Sequence, residues 1–300
     1  MRERFFAVVN PAAGGGRCGK LAPAALEKLQ RHGVSVEVAE TRFAGQGIEL
    51  TRQAYRHGFR HFLAVGGDGT SYEILNGLFP EAAQSERPTL AFLPLGTGNS
   101  FLRDFTRQSA EYATEALLAG RRRPCDVLQL VHTKGTIYYI NLLSMGFTAD
   151  VAALTNRKFK SLGEMGYLLG VLICLLRLNR RPFPLRVGGC QEMDRRRCLF
   201  LTFNNSKFTG GKMMIAPQAD PSDGWIEFVR WGPIGRLGLL WNLHRLYDGS
   251  HIEHPLASRQ AVQRVDFALD GPVDVMVDGE VLTLHCQALQ VLPGALDVMV

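Results

Sequence analysis

What this sequence lacks removes several classes of protein. None of the six cysteines (Cys18, Cys125, Cys174, Cys190, Cys198 and Cys286) belongs to a C-x-x-C pair. Neither a zinc site nor a disulfide framework is therefore expected, and the thiols read as reduced and cytoplasmic. The longest apolar run, Tyr167 to Leu176, falls short of the roughly 20 residues that cross a bilayer. Phe5 to Val9 is too short for the apolar centre of a secretory signal and runs straight into a turn. The eight histidines show no metal-ligand spacing, His251 and His254 share a loop expected to face solvent, and no Ser/His/Asp order stands out. There is no internal repeat and no low-complexity tract.

What is present is a composition of 46% hydrophobic and 21% charged residues over 300 positions, enough for a sizeable core in one large or two ordinary domains. Lys and Arg outnumber Asp and Glu by 34 to 28, a formal charge of +6. That balance suits an anionic partner such as a nucleotide, a nucleic acid or an acidic membrane surface, and equally a mildly basic enzyme.

The stretch around which the rest is arranged is Gly66-Gly67-Asp68-Gly69-Thr70, directly after the apolar run Phe62-Leu63-Ala64-Val65. A buried strand ending in glycines around one acid predicts a turn whose backbone lies against a bulky anion, with N–H groups facing a phosphate and Asp68 available to a Mg²⁺ that travels with it. Ile74, Leu75 and Leu78 follow at helical spacing, so the turn opens a helix whose N-terminus also favours anions. An ordinary strand-turn-helix corner has the same local pattern.

Two more corners of this kind flank it. Phe5 to Val9 reads as a strand ending in Asn10-Pro11-Ala12-Ala13-Gly14-Gly15-Gly16, the usual place for a nucleotide in an open α/β sheet. Gly14, Gly19 and Lys20 fit G-x-x-x-x-G-K, yet Leu21 replaces the Ser or Thr that would hold Mg²⁺ in a P-loop. Leu90 to Pro94 reads as a further strand, followed by Leu95-Gly96-Thr97-Gly98-Asn99-Ser100. Between them, helices over Leu21 to His32 and Ile48 to His57 and a strand over Val34 to Val38 complete an alternation that predicts a doubly wound, mostly parallel sheet. Thr41 stands just past that strand.

The three corners together resemble the diacylglycerol kinase catalytic-domain family, which includes bacterial soluble lipid kinases and the sphingosine and ceramide kinases. Later segments match in order: Asp126-Val127, Thr209 to Met213, Ala216-Pro217, Asp220 to Trp225, and Asp278-Gly279-Glu280. Tyr72 stands where the family commonly has Asn and Ser100 where it often has Asp, while Glu73 and Asn99 are retained.

The resemblance implies ATP- and Mg²⁺-dependent phosphorylation of a lipid hydroxyl, diacylglycerol or sphingoid, in a cleft between an NAD kinase/phosphofructokinase-like α/β domain (residues 1–123) and a β-rich sandwich domain (124–300). It implies that Asn10, Pro11, Gly14, Thr41, Gly66, Gly67, Asp68, Gly69, Thr70 and Thr97 face the nucleotide. Asp278 and Glu280 would be the acids nearest the acceptor, the Glu position being the usual proton acceptor in similar bacterial enzymes. Asp220, Asp223 and the Trp225 carbonyl would form a separate metal site. The expected partners are the lipid substrate and a transiently touched anionic membrane surface, with no nucleic acid and homodimerisation left open; the expected location is cytoplasmic and peripheral at the membrane.

The residues themselves support this plan. After Arg121-Arg122-Arg123-Pro124, read as the domain boundary, strand-like segments at 127–131, 136–141, 199–203, 225–231 and 273–277 are accompanied by one clear helical stretch, which predicts a mostly antiparallel sheet or sandwich. Phosphoryl transfer needs charge neutralisation, in-line positioning and a base within about 3 Å of the hydroxyl. Asp278-Gly279 between apolar runs is also a hairpin signal in its own right, and Asp220 to Gly224 also reads as an Asx-rich turn. Leu162 to Leu178, followed by Arg180 and Arg181, fits either a core helix or one resting on a membrane. Two other functions remain open: an NAD kinase-like nucleotide kinase, and a non-catalytic lipid or nucleotide binder of the same fold.

Overall fold

The structure is a computed structural model that describes residues 3–84, 86–106, 109–159, 163–210 and 212–300; Leu162 and Gly211, parts of stretches discussed above, lie outside the described residues. The first 118 residues alternate β1 (Arg4–Val9), α1 (Arg17–Arg31), β2 (Ser35–Glu40), α2 (Gln46–Arg56), β3 (His61–Gly66), α3 (Asp68–Leu78), β4 (Thr89–Pro94) and α4 (Ser109–Leu118). The four strands run parallel in the order β2-β1-β3-β4. Alternation places Phe5, Ala7 and Val9 on one face against α1 and α4, and Phe6 and Val8 on the other against α2 and α3. Both faces are thus covered, as buried parallel strands require.

The second half continues with β5 (Arg122–His132), β6 (Gly135–Tyr139), β7 (Leu142–Gly146), α5 (Phe147–Lys158), α6 (Gly163–Leu176) and α7 (Arg236–Asn242), among short strands. Six antiparallel strands form the second sheet, in the order Ala257–Val262, Ile226–Trp231, Phe200–Asn204, β7, Val273–Val277, Glu280–Leu284. Its inner face, with Leu143, Met145, Phe203 and Val275, packs on Leu128, Leu130, Tyr139 and Leu289 of the first sheet, so this half is a sandwich.

The two halves share their longest strands. Cys125 and Val127 of β5 lie in the core of the parallel sheet, whereas Leu128 and Leu130 lie in that of the sandwich. The C-terminal strand Cys286–Met299 pairs antiparallel with β5 along most of its length, then runs parallel beside β4 through Asp297 and Val298.

Three expectations need correction. The boundary read at 123/124 falls inside a strand, because Arg122 and Arg123 are the start of β5, paired in register with Met299 and Val298. Among the described residues the second half holds three helices of seven residues or more rather than one, because α5 opens straight from β7 at Gly146 and gives little local warning. His251 does not face solvent: it is fully buried, its Nδ1 on the Arg245 carbonyl and its ring 5.7 Å from that of Trp231.

Candidate active site

The ends of β1, β3 and β4 bring three distant segments into backbone contact. Gly96 donates to the Gly66 carbonyl (2.8 Å), and a methyl group on Gly96 would lie 2.5 Å from the Gly67 Cα. One on Gly14 would lie 2.9 Å from the Leu95 carbonyl oxygen. Only glycine allows approaches this close. Asn10 donates to the Val65 carbonyl, and the Thr41 N–H and hydroxyl both reach the Val9 carbonyl (2.8 and 3.3 Å), so the first corner, the second corner and the end of β2 are joined. The Pro11 carbonyl closes the first loop onto α1 by accepting the Gly19 N–H. Thr97 is exposed at the tip of the third corner.

The polar groups at this edge are only partly used. Neither Gly16 before α1 nor Gly67 before α3 provides a side-chain cap, and the hydroxyl of buried Thr70, folded over Gly66, has no partner among the described residues. The start of α1 is closed on its own loop, the N–H groups of Gly16, Arg17, Cys18 and Gly19 donating to the carbonyls of Ala12, Gly14, Ala13 and Pro11, so the helix end that favours an anion at this edge is that of α3. Asp68, half-buried, accepts the N–H of Ser100 (2.9 Å). Burial raises its carboxyl above the ordinary range, opposed by the N–H groups of Ser100 and Phe101. Glu73, one turn on, accepts the N–H groups of Gly45 and Gly47 (2.7 and 2.8 Å) and so fastens the loop after β2 to α3.

Opposite the glycines stands the tip of the hairpin Val273–Val277/Glu280–Leu284. Asp278 and Gly279 both have positive φ (46° and 89°), and Val277 pairs with Glu280 across the turn. The two acids at this tip have different surroundings. Asp278 is 2% exposed and its oxygens accept the N–H groups of Ile140, Asn141 and Leu142 (3.1, 3.1 and 2.9 Å). Burial outweighs these bonds and pushes it up to about 7, with the charge of Asp68 acting in the same direction. Glu280 is exposed and reaches across to the second corner: a methyl on Gly69 would come within 2.8 Å of its Oε1. Tyr72, half-buried beside both acids, has its phenol pushed up by desolvation and by the charges of Asp278, Glu280 and Glu73.

The hairpin is registered against the glycine corner by residues that the sequence alone did not single out. Asn76 on α3 donates to the Tyr138 carbonyl of β6 (2.9 Å) and accepts the Tyr138 N–H (3.0 Å). β6 leads directly into the segment that Asp278 grips. Asp104, after the third corner, accepts the Lys207 N–H on both oxygens (3.1 Å each) and is raised by burial to about 6. These ties join residues between 62 and 138 positions apart, and a side chain that bonds so remote a backbone leaves no local pattern.

Asp220, Asp223 and Trp225 lie in a separate loop. Asp220 accepts the N–H and hydroxyl of Ser222 (3.0 and 2.7 Å), and Asp223 accepts the N–H of Trp225 (2.9 Å). Buried Asp126 is its anchor, accepting the N–H groups of Gly224 and Gly294 while its own N–H donates to the Pro221 carbonyl. Burial, then the neighbouring charges of Asp220 and Asp126, raise the Asp223 carboxyl. Among the described residues no three His, Cys, Asp or Glu side chains converge to hold a metal.

A parallel nucleotide-type sheet sharing its long strands with a β-sandwich, with an acid-tipped hairpin facing glycine corners, defines a class of two-part α/β kinases. The diacylglycerol kinase catalytic domain model matches residues 4–130, and the model for the YegS C-terminal NAD kinase beta sandwich-like domain matches 141–300. The chain belongs to the diacylglycerol kinase-like lipid kinase family. It is 27% identical over 299 residues to a diacylglycerol kinase of Mycobacterium tuberculosis, spanning 99% of this chain and 94% of that protein. It is also 27% identical to one of Bacillus subtilis, spanning 97% of each. A protein of Chromohalobacter salexigens named "Probable lipid kinase YegS-like" is 30% identical over 91% of this chain and 86% of its own length. A solved chain from Bacillus anthracis str. Sterne shares the fold, with a TM-score of 0.78 at 20% identity over 99% of this chain and 95% of that one.

Proposed function

We propose that the protein transfers the γ-phosphoryl group of ATP to the hydroxyl of a diacylglycerol-type lipid, with Mg²⁺ accompanying the phosphates. The reading rests on one observation above all: Glu280 reaches Gly69, so a carboxylate from the sandwich faces the N-terminal end of α3. In this reading the glycine corners and the N-terminus of α3 hold the triphosphate, with Asn10, Pro11, Gly14, Thr41 and Thr97 around the nucleotide. The donor set suits Mg²⁺, which keeps several waters and takes one or two protein carboxylates beside substrate phosphates; Asp68 is the carboxylate at that end. The ion would supply neutralisation of the charge spread over the transferred group.

Glu280 then accepts the acceptor's proton, a role its exposure allows, while Asp278 fixes the turn that carries it. Asp220, Asp223 and the Trp225 carbonyl are assigned a second, purely structural cation, which would relieve the crowding of negative charge around Asp126. The test is label transfer from γ-labelled ATP to diacylglycerol, a sphingoid base and NAD offered in parallel, with and without Mg²⁺. Labelled diacylglycerol that requires Mg²⁺ is the expected result. Transfer to NAD alone would give the nucleotide-kinase function instead, and ligand binding with no transfer would give the non-catalytic one.

A further inference from the structure

We propose that Tyr72 is a positioning residue for Glu280, its ring keying the hairpin tip to the start of α3 and its hydroxyl steadying the carboxylate. Gly69, Tyr72 and Asn76 stand at i, i+3 and i+7 of α3, on one side of the helix. Both ends of that side are fixed to the sandwich half: a methyl on Gly69 would meet the Glu280 Oε1, and Asn76 donates to and accepts from the Tyr138 backbone. Tyr72 falls between them. Its side chain packs on the sandwich core, in the cluster that holds Val275, Val277 and Leu282 of the hairpin, and every other member of that cluster among the described residues comes from position 128 or later. A single ring from the nucleotide half is thus inserted into the other half, beside the turn that carries Glu280.

The other end of the side chain meets acids. Desolvation, and then the charges of Asp278, Glu280 and Glu73, hold the phenol in its protonated form, so it stands among these carboxylates as a donor. Two of the three acids have backbone bonds that keep them in place: Asp278 accepts the N–H groups of Ile140, Asn141 and Leu142, and Glu73 those of Gly45 and Gly47. Glu280 is exposed at the tip, where a long side chain has several rotamers to give up before it can take a proton from one direction. A phenol O–H beside it narrows that choice. Packing alone would be served equally by phenylalanine. Asparagine, which the family commonly carries at this place, has neither a ring to enter the sandwich core nor the length to reach the tip. The inference rests on the reading of Glu280 as proton acceptor, while the hold of the ring on the hairpin is measured without any turnover.

The experiment combines backbone hydrogen exchange over the hairpin at 273–284 of the full chain with label transfer from γ-labelled ATP to diacylglycerol. It compares wild type, Tyr72→Phe, Tyr72→Asn, Glu280→Gln and the two double variants. Without substrate, Tyr72→Asn should speed exchange in the hairpin about tenfold or more while leaving β1 and β3 unchanged; Tyr72→Phe, which keeps the ring, should exchange like wild type. In turnover, Tyr72→Phe should lower kcat about tenfold and Tyr72→Asn about 10²-fold, both at the wild-type KM for ATP. In the Glu280→Gln background neither should lower kcat further, because a residue that acts through another has no effect once that one is gone. Losses that multiply with that of Glu280→Gln overturn the inference, as does full turnover in Tyr72→Phe, which leaves the ring with packing alone. Should wild type transfer no phosphate to any acceptor, the kinase reading falls and the exchange rates decide: fast exchange in the Tyr72→Asn hairpin upholds the hold on the tip, and exchange at the wild-type rate overturns it.

Discussion

The glycine edge and the acidic loop at 220–225 are both polar turns in which aspartate follows or precedes glycine, yet they differ in what they do with their polar atoms. In the loop, each aspartate bonds a residue two positions on, and Asp126 takes up the Gly224 N–H. At the edge, three segments converge, two helix N-termini lack side-chain caps and a buried threonine hydroxyl has no partner among the described residues. A turn that satisfies itself is complete as folded. One that leaves a buried hydroxyl without a partner where three segments meet is built for something that arrives later.

The largest effect should therefore fall at the edge. Asp68→Asn should lower phosphoryl transfer by about 10²- to 10³-fold, with a circular dichroism spectrum and cooperative unfolding like those of wild type. Wild-type turnover in this variant would remove the corner from the chemistry.

The same contrast recurs within one turn, between Glu280 and Asp278. Glu280→Gln should reduce kcat by about 10²-fold or more while leaving the KM for ATP and the unfolding midpoint unchanged. Asp278→Asn should act through structure. An amide cannot accept on both sides as the carboxylate does from Ile140, Asn141 and Leu142, and the loss should be about 1–3 kcal/mol of stability. If the two variants behaved alike in kinetics and in urea unfolding, the division of labour between the acids would be wrong.

Asp278 also gives a pH signature. Its carboxyl is raised from 3.8 to about 7 in the folded chain, so between those values the native state holds a proton that the unfolded chain has released. The stability due to this group is then fully present below about pH 4 and is lost as pH rises through about 7, the reverse of a salt-bridged aspartate. Urea unfolding of wild type between pH 5 and 8 should show this downward contribution, and Asp278→Asn should lack it.

What the sequence revealed and what it hid divide along the same physical line. Strands ending in glycine corners, the helices after them and the Asp278-Gly279 turn are local patterns, and all lie within a few residues of where their spacing puts them. The return of the C-terminal strand to the side of β4, and the ties made by Asn76, Asp104 and Asp126, depend on residues far apart. Asn76 looked like any polar residue on a helix, since nothing in its neighbours announces Tyr138. The two carboxylates of the hairpin tip could be named from sequence, but that Asp278 is buried on the N–H groups of Ile140 to Leu142 while Glu280 is exposed required the fold.

The smallest effect is expected at the acidic loop, and it is the finest test of the comparison. Asp223 bonds the Trp225 N–H through one oxygen, and the side-chain carbonyl of asparagine can accept the same bond. Its carboxyl is already raised by burial and by Asp220 and Asp126, so Asp223→Asn also removes a like-charge contact. Without Mg²⁺, thermal unfolding should therefore place the variant within about 0.5 kcal/mol of wild type. Adding Mg²⁺ should stabilise wild type more than the variant, because a cation bound only to the folded loop adds its binding free energy to the stability of the fold. If Asp223→Asn were strongly destabilised before any Mg²⁺ was added, the turn would depend on the charge itself and could not be the self-satisfied unit that sets it apart from the glycine edge.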